Sequence, residues 1–391
     1  MVCYSTDTRV FKAYKDKFCK SPDYLVHAPG RVNIIGEHTD YNDGYVLPIA
    51  IDKVVSIAFS AISKPEIRLF SLDFNQLISL SLENNLKNSD GWTEYLKGLI
   101  KVYNENGFEI KGWQGVISGN VPIGAGLSSS AALELAFSRT LASASNWKWE
   151  PKKMALLSKK AENEWVGIKC GIMDQMISAL GKIDNALLLD CRSLECTNIP
   201  LPKSIRFVIL DTITRRGLID SEYNKRRDQC ESVARHFGIK ALRDLTIEQL
   251  EKSKSNLNSI DFKRARHVIL ENKRVIDCVE AIRMESLEIV GELMIASHKS
   301  LCNDFEVSSE ELDLIVDYSL KAPGCYGARM TGAGFGGCAI ALVEEKYIQK
   351  FITQVIKHYN LSTGKTPKLY VTKAAEGASV FSKSDLVKKL N

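Results

Sequence analysis

The chain has 391 residues, 45% of them hydrophobic and 25% charged, with 10 prolines and 25 glycines. At roughly 150 residues per domain this predicts two or three folded units with a sizeable core and excludes a disordered or collagenous chain. Lys and Arg number 52 against 47 Asp and Glu, a net charge of +5 that is too small and dispersed to point to nucleic acid, though it suits an anionic ligand. Ten cysteines without a Cys-x-x-Cys pair offer neither a disulfide scaffold nor zinc spacing. No apolar run approaches the roughly 18 residues of a membrane span, and the first residues lack the apolar core of a secretion signal. A cytoplasmic protein with reduced thiols and no membrane or nucleic-acid partner is expected.

Phe11, Tyr14 and Phe18 recur at helical spacing, and Tyr24-Leu-Val-His-Ala-Pro-Gly30 is an extended approach to a turn. Val46 to Ile51, Val54 to Ala58 and Ile67 to Ser71 read as strands, and Trp92 to Tyr103 as a helix with Trp92, Tyr95, Leu96 and Leu99 on one side. A helix over Ser128 to Ala144 is built of good helix formers and follows a glycine-rich loop. Pro151 opens another, striped by Met154, Leu157, Ala161 and Trp165 and broken at Gly167 to Gly171. Strand-like Ala186 to Asp190 and Ile205 to Leu210 are separated by Pro200 and Pro202, where the boundary between units 1–199 and 200–391 falls. From Ser221 to Ser319 the pattern is largely helical, and Cys338 to Val343 and Lys368 to Thr372 return to strand. Sheet and helix mix without a βαβ rhythm.

Three segments carry chemistry. Pro122-Ile-Gly-Ala-Gly-Leu-Ser-Ser-Ser-Ala131 joins glycines, which let a ligand approach the backbone, to a helix start whose amides lack intrahelical partners. Phosphate is the natural occupant. It is not a Walker A loop, because no Gly-Lys-Ser/Thr follows, so a serine hydroxyl would have to serve the metal. An ordinary serine-capped helix would use the same residues. Gly332-Ala-Gly-Phe-Gly-Gly337 formally matches G-x-G-x-x-G, but a strand follows it and no short strand clearly precedes it, so a dinucleotide fold is not expected. Gly30-Arg-Val-Asn-Ile-Ile-Gly-Glu-His-Thr-Asp-Tyr-Asn-Asp-Gly44 packs an arginine, a histidine and three carboxylates between glycines. Asp40 and Asn42 hint at a calcium loop, yet Gly44 comes one place early and Ile51 stands where a bidentate acid is needed. The donors and acceptors suit a polyol. Glu162 and Asp174, and Arg215 with Arg216 before Ser221-Glu-Tyr-Asn224, are further charged candidates.

In order and wording, these segments resemble the GHMP kinases, and Gly30 to Tyr41 is similar to the signature of the galactokinases among them. Ala161-Glu-Asn163, Cys170-Gly-Ile-Met-Asp-Gln175, Asp304-Phe-Glu-Val307 and Met330-Thr-Gly-Ala-Gly-Phe-Gly-Gly-Cys338 extend the resemblance over nearly the whole chain. It implies an α+β, two-domain GHMP kinase-like fold with the active site in the cleft between the domains. It also implies transfer of the ATP γ-phosphoryl group to the C1 hydroxyl of α-D-galactose, with Mg²⁺. Matched by position, Arg31 and Asp174 would flank the reacting hydroxyl, and Glu37, His38, Asp40, Gly171 and Tyr223 would hold the sugar. Gly124, Gly126, Leu127, Ser128, Ser129, Ser130 and Ala131 would wrap the phosphates, and Arg215 would approach them. Ser130 and Glu162 would hold the metal, and Trp92 and Tyr95 resemble residues near adenine. Two positions depart from the pattern: Ala333 replaces a usual glycine, and Arg216 a usual histidine. Some galactokinase-like proteins are sugar sensors with an altered serine-alanine loop; here Ser128-Ser-Ser-Ala131 is complete, which favours an enzyme. Kinases of N-acetylgalactosamine, arabinose, galacturonate or mevalonate fit Glu37-His-Thr-Asp40 less well.

Overall fold

The computed structural model describes residues 4–82, 91–215 and 219–385. A six-stranded sheet runs in the order Ser379–Ser382, Tyr24–Asn33, Pro48–Ala61, Trp113–Gly119, Glu66–Ser71, Gln76–Ser81. All neighbours are antiparallel except Glu66–Ser71 with Trp113–Gly119. Strand side chains alternate between faces. Leu25, Ala58 and Val116 therefore pack under the N-terminal helix Ser5–Phe18, while Val26, Ile57 and Ile117 face the main core with the Ser129–Ser145 helix. The two strands expected over Val46 to Ala58 are a short piece, Tyr45–Val46, and one long strand from Pro48 to Ala61. Asp52 and Lys53, which separate the two expected strands, are half-buried within it.

A second sheet has the order Cys325–Thr331, Cys338–Glu344, Ile205–Asp211, Lys368–Thr372, all antiparallel. The strand Cys325–Thr331 corrects the expectation that none precedes the second glycine loop; that loop joins two antiparallel strands, and it opens no helix. Val208, Leu210 and Ala339 on one face pack with helices including Ser259–Arg283 and Ile348–Thr363. Phe207, Ile209 and Ile340 on the other face join the main core of the first half. The apolar interior is thus continuous across the Pro200 region, and the strand Ser379–Ser382 carries the chain back into the first sheet. A small sheet, Tyr45–Val46, Asn185–Asp190, Cys196–Pro200, lies between. Among the described residues no helix is long and apolar enough to cross a membrane.

Candidate active site

The first strand is irregular where it matters. Its pairing with Pro48–Ala61 shifts register between Pro29 and Arg31, and such a bulge re-aims the next side chain. Gly30 permits this turn against the glycine-serine loop, since a Cβ there would stand 2.6 Å from the Leu127 carbonyl oxygen. The Arg31 backbone N–H donates to that same oxygen at 3.1 Å. The buried Arg31 guanidinium then grips Asp174 in a fork, Nε to Oδ1 at 2.7 Å and Nη2 to Oδ2 at 2.9 Å. Its Nη1 donates to the Gly126 carbonyl at 2.6 Å. The Ser128 hydroxyl donates to Asp174 Oδ2 as well.

Gly124 and Gly126 adopt positive φ of 68° and 74°, and Ser128, at 57°, precedes the Ser129–Ser145 helix. No side chain caps that helix, because the Ser128 hydroxyl is turned to Asp174, so the helix N-terminus faces the cavity uncapped, as an anion site requires. Ala131 is buried in the first turn and lines neither cavity described below.

A cavity of about 290 Å³ opens between the halves, near the lower end of small-molecule sites. Arg31, Glu37, His38, Asp40, Gly171, Asp174 and Tyr223 line it together with Gly124, Gly126, Leu127, Ser128, Ser129, Ser130 and Glu162. Glu37 Oε1 accepts from Thr331 Oγ1 and the Gly332 N–H, both at 2.8 Å, and from Arg329 at 3.4 Å. His38 has both ring nitrogens engaged, Nδ1 with the Tyr41 hydroxyl at 2.9 Å and Nε2 with the Ala333 carbonyl at 3.2 Å. Burial, then the neighbouring His267, pushes His38 down to about 3, so it is a neutral wall residue. Phe305, from the Asp304 to Val307 segment, packs on His38 at 4.7 Å. Asp40 is pushed up to about 6 by burial and then by Asp174. Gly171 leaves room for it: a Cβ there would lie 1.7 Å from Asp40 Oδ2.

Glu162 starts a π-helical turn, Glu162–Val166, where two following amides, of Gly167 and Ile168, share its carbonyl; such bulges recur at functional sites. Its buried carboxyl is raised above the usual range by burial, and Glu134 behind it well above, again by burial and then by Glu162. Glu134 Oε1 is buried without a hydrogen-bond partner. With their pKa values raised, these acids tend to hold protons, and a divalent cation taking the proton's place would find hard oxygen donors there.

Beyond Tyr95, Ser129 and Ser130 a second cavity of about 520 Å³ continues, lined by Trp92, Phe74, Val55, Ile117, Val121 and Leu133. Trp92 stacks on Phe74 at 5.7 Å. Arg215 lies outside both cavities, beside Gly124, and is held by a bidentate pair with buried Asp211 at 2.8 Å twice. Arg216 lies outside the described residues. Ala333 has no positive φ, so its departure from glycine carries no backbone strain. Sequence reasoning missed Arg329 and Thr331 behind Glu37, Asp211 behind Arg215, and Glu134 and Gln175 behind Glu162. Thr331 and Gln175 stood inside the quoted motifs without an assigned role, and the others carried no signal beyond lying near such segments.

Residues 12–61 match the galactokinase galactose-binding signature, 94–182 the GHMP kinases N-terminal domain and 278–361 the GHMP kinases C-terminal domain. A galactokinase of Pasteurella multocida is 41% identical over 376 residues, 94% of this chain and 98% of its own length. The chain belongs to the galactokinase family. A second member, from Actinobacillus succinogenes, is 41% identical over 93% of this chain and 96% of its own length. The crystal structure of Lactococcus lactis galactokinase complexed with galactose superposes with a TM-score of 0.90 at 34% identity, covering 94% of this chain and 98% of the other. Methanococcus jannaschii mevalonate kinase, at 21% identity and a TM-score of 0.65 over 90% of this chain and 98% of its own, shares the fold. The protein is a kinase of the GHMP fold.

Proposed function

We propose that this protein transfers the γ-phosphoryl group of ATP to the C1 hydroxyl of α-D-galactose, giving galactose 1-phosphate, in the cleft between units 1–199 and 200–391. The observation that carries this reading is the Arg31–Asp174 fork, at the seam between the polyol-suited loop and the uncapped helix. Asp40, Glu37 and Tyr223 would take the sugar hydroxyls, with Gly171 leaving space. His38, its nitrogens already occupied, shapes the wall. The glycine-serine loop would receive the phosphates, Arg215 would approach them from the second unit, and the apolar cavity at Trp92 and Tyr95 suits adenine.

Phosphoryl transfer proceeds through a loose transition state, so the protein acts mainly by positioning and charge. Asp174 offers about four lone-pair sites. Three are taken by Arg31 Nε, Arg31 Nη2 and Ser128. The remaining one can accept the C1 hydroxyl, orient its oxygen towards the γ-phosphorus and receive the proton as the bond forms. Arg31 holds that carboxylate in place and adds positive charge beside the phosphate loop. Ser130 and Glu162 would hold the Mg²⁺ that, when bound, neutralises the phosphate oxygens. The free thiols of the described cysteines favour a reducing, cytoplasmic setting.

A panel of galactose, glucose, N-acetylgalactosamine, arabinose, galacturonate and mevalonate with ATP, read as ADP release, tests the proposal. Galactose should be turned over fastest. Preference for another acceptor would replace the substrate, and tight binding of galactose and ATP without ADP release would make the protein a sensor.

A further inference from the structure

Behind Glu162 lies a polar group that the proposed reaction does not use. Gln175 is fully buried, and its amide nitrogen donates to Glu162 Oε2 at 2.7 Å and to Glu134 Oε2 at 3.1 Å. The Cys170 thiol donates to the same Glu162 oxygen at 3.1 Å. Glu134 is fully buried and stands four residues after Ser130, on the same face of its helix. One oxygen of Glu162 is therefore saturated by protein donors. Among the described residues no donor to Oε2 is shared with Oε1, and the Ser130 hydroxyl bonds the same carboxyl where both residues line the cavity.

We propose that Gln175, anchored by Glu134, is the positioning residue for the divalent cation of the nucleotide: it fixes the rotamer of Glu162 so that a single oxygen is presented beside Ser130. This rests on the assignment of Glu162 to the cation. A carboxylate that ligates a metal depends on a second layer of donors for its orientation. A primary amide has two N–H donors on one nitrogen and can bridge two acids. Arginine or lysine would bridge them too, but would bring a fixed positive charge to the place the cation is to occupy. The arrangement leaves Glu134 Oε1 and Gln175 Oε1 without partners in a buried place, a cost expected where geometry serves function. Gln175 also follows Asp174 on the Met173–Leu180 helix, so one helical turn carries both the carboxylate that meets the sugar and the amide that aims the metal acid.

The test is Mn²⁺ affinity in the presence of ADP, read from the electron paramagnetic resonance signal of free Mn²⁺, with galactose affinity by calorimetry alongside. Gln175→Leu should weaken Mn²⁺ binding about 10- to 100-fold, as loss of outer-layer partners does, and leave galactose affinity unchanged. Glu134→Gln, which keeps the volume but loosens the anchor, should act in the same direction by less. Should Gln175→Leu not fold, Gln175→Met and Glu134→Gln decide on the same readout. Wild-type Mn²⁺ affinity in folded variants overturns the inference, as does an equal loss of galactose affinity, which would mark a general structural role. Glu162→Gln runs in parallel. If it loses Mn²⁺ and the Gln175 variants do not, only the positioning role fails; if it keeps wild-type affinity, the cation assignment itself fails.

Discussion

Replacing Asp40 by asparagine should stabilise the protein and weaken sugar binding together, each with its own pH dependence. Burial, then Asp174, raises the Asp40 carboxyl from 3.8 to about 6, with Lys159 and the Tyr41 backbone N–H partly opposing. Below the lower value both folded and unfolded chains carry the proton, and the residue contributes nothing to stability. Between the two values the unfolded chain loses a proton that the folded one keeps, so stability falls as pH rises, and above about 6 the loss is complete. At 1.36 kcal/mol per unit the loss is about 3 kcal/mol, an upper bound because part of Asp40 faces the water of the cavity. Asparagine keeps the acceptor for Tyr41 N–H and never ionises. In urea unfolding the variant should match the wild type near pH 4 and exceed it by about 1 to 3 kcal/mol at pH 7.5. Galactose affinity of the wild type should strengthen as pH passes about 6, because a carboxylate is the better acceptor. The variant should be flat with pH and about 10- to 100-fold weaker at pH 7.5. A stability difference that does not change with pH would refute the reasoning.

Ser130→Ala and Glu162→Gln should each lower turnover and raise the Mg²⁺ concentration needed, with less than additive losses in the double variant because both serve one ion; additive losses with an unchanged Mg²⁺ titration would remove the pair from the metal. Gly171→Ala adds a methyl group within 1.7 Å of Asp40 Oδ2, so the KM for galactose should rise on the order of tenfold while that for ATP stays. Unchanged galactose kinetics would mean that Asp40 does not contact the sugar.

Local signals made much of this molecule legible. Good helix formers and a leading Pro151 announced the helices Ser129–Ser145 and Pro151–Ala161, and the charged loop after Gly30 supplied Arg31, Glu37, His38 and Asp40 to one cavity. What stayed hidden depends on partners distant in sequence. Cys325–Thr331 escaped because Arg329 reads as a surface residue; in the fold it is fully buried, tied to Glu37 and to the carbonyls of Asn33 and Ile34. Cys196–Pro200 ends on a proline, which reads as a break but sits on a strand at the edge of its sheet. The bulge at Pro29 and Arg31 arises from pairing with Pro48–Ala61, and the return of Ser379–Ser382 to the first sheet is a tertiary choice. In the site, single residues were readable as types, but their second layer was not: Gln175, Glu134, Asp211 and Thr331 gain meaning only from the atoms they touch.

The central claim is that Asp174 meets the hydroxyl that attacks the phosphorus, and an Asp174→Asn preparation tests it most directly. The amide keeps the shape and accepts one bond but carries no charge and takes no proton. Galactose and ATP affinity are measured by calorimetry and phosphoryl transfer by ADP release on the same sample, with the product located by phosphorus NMR in the wild type. The account predicts galactose 1-phosphate from the wild type, and from the variant near-normal binding with turnover lowered by two or more orders of magnitude, in line with the roughly 10²–10⁴-fold that a positioned acid or base contributes. Near-normal transfer by Asp174→Asn, or phosphate on a hydroxyl other than C1, would contradict it.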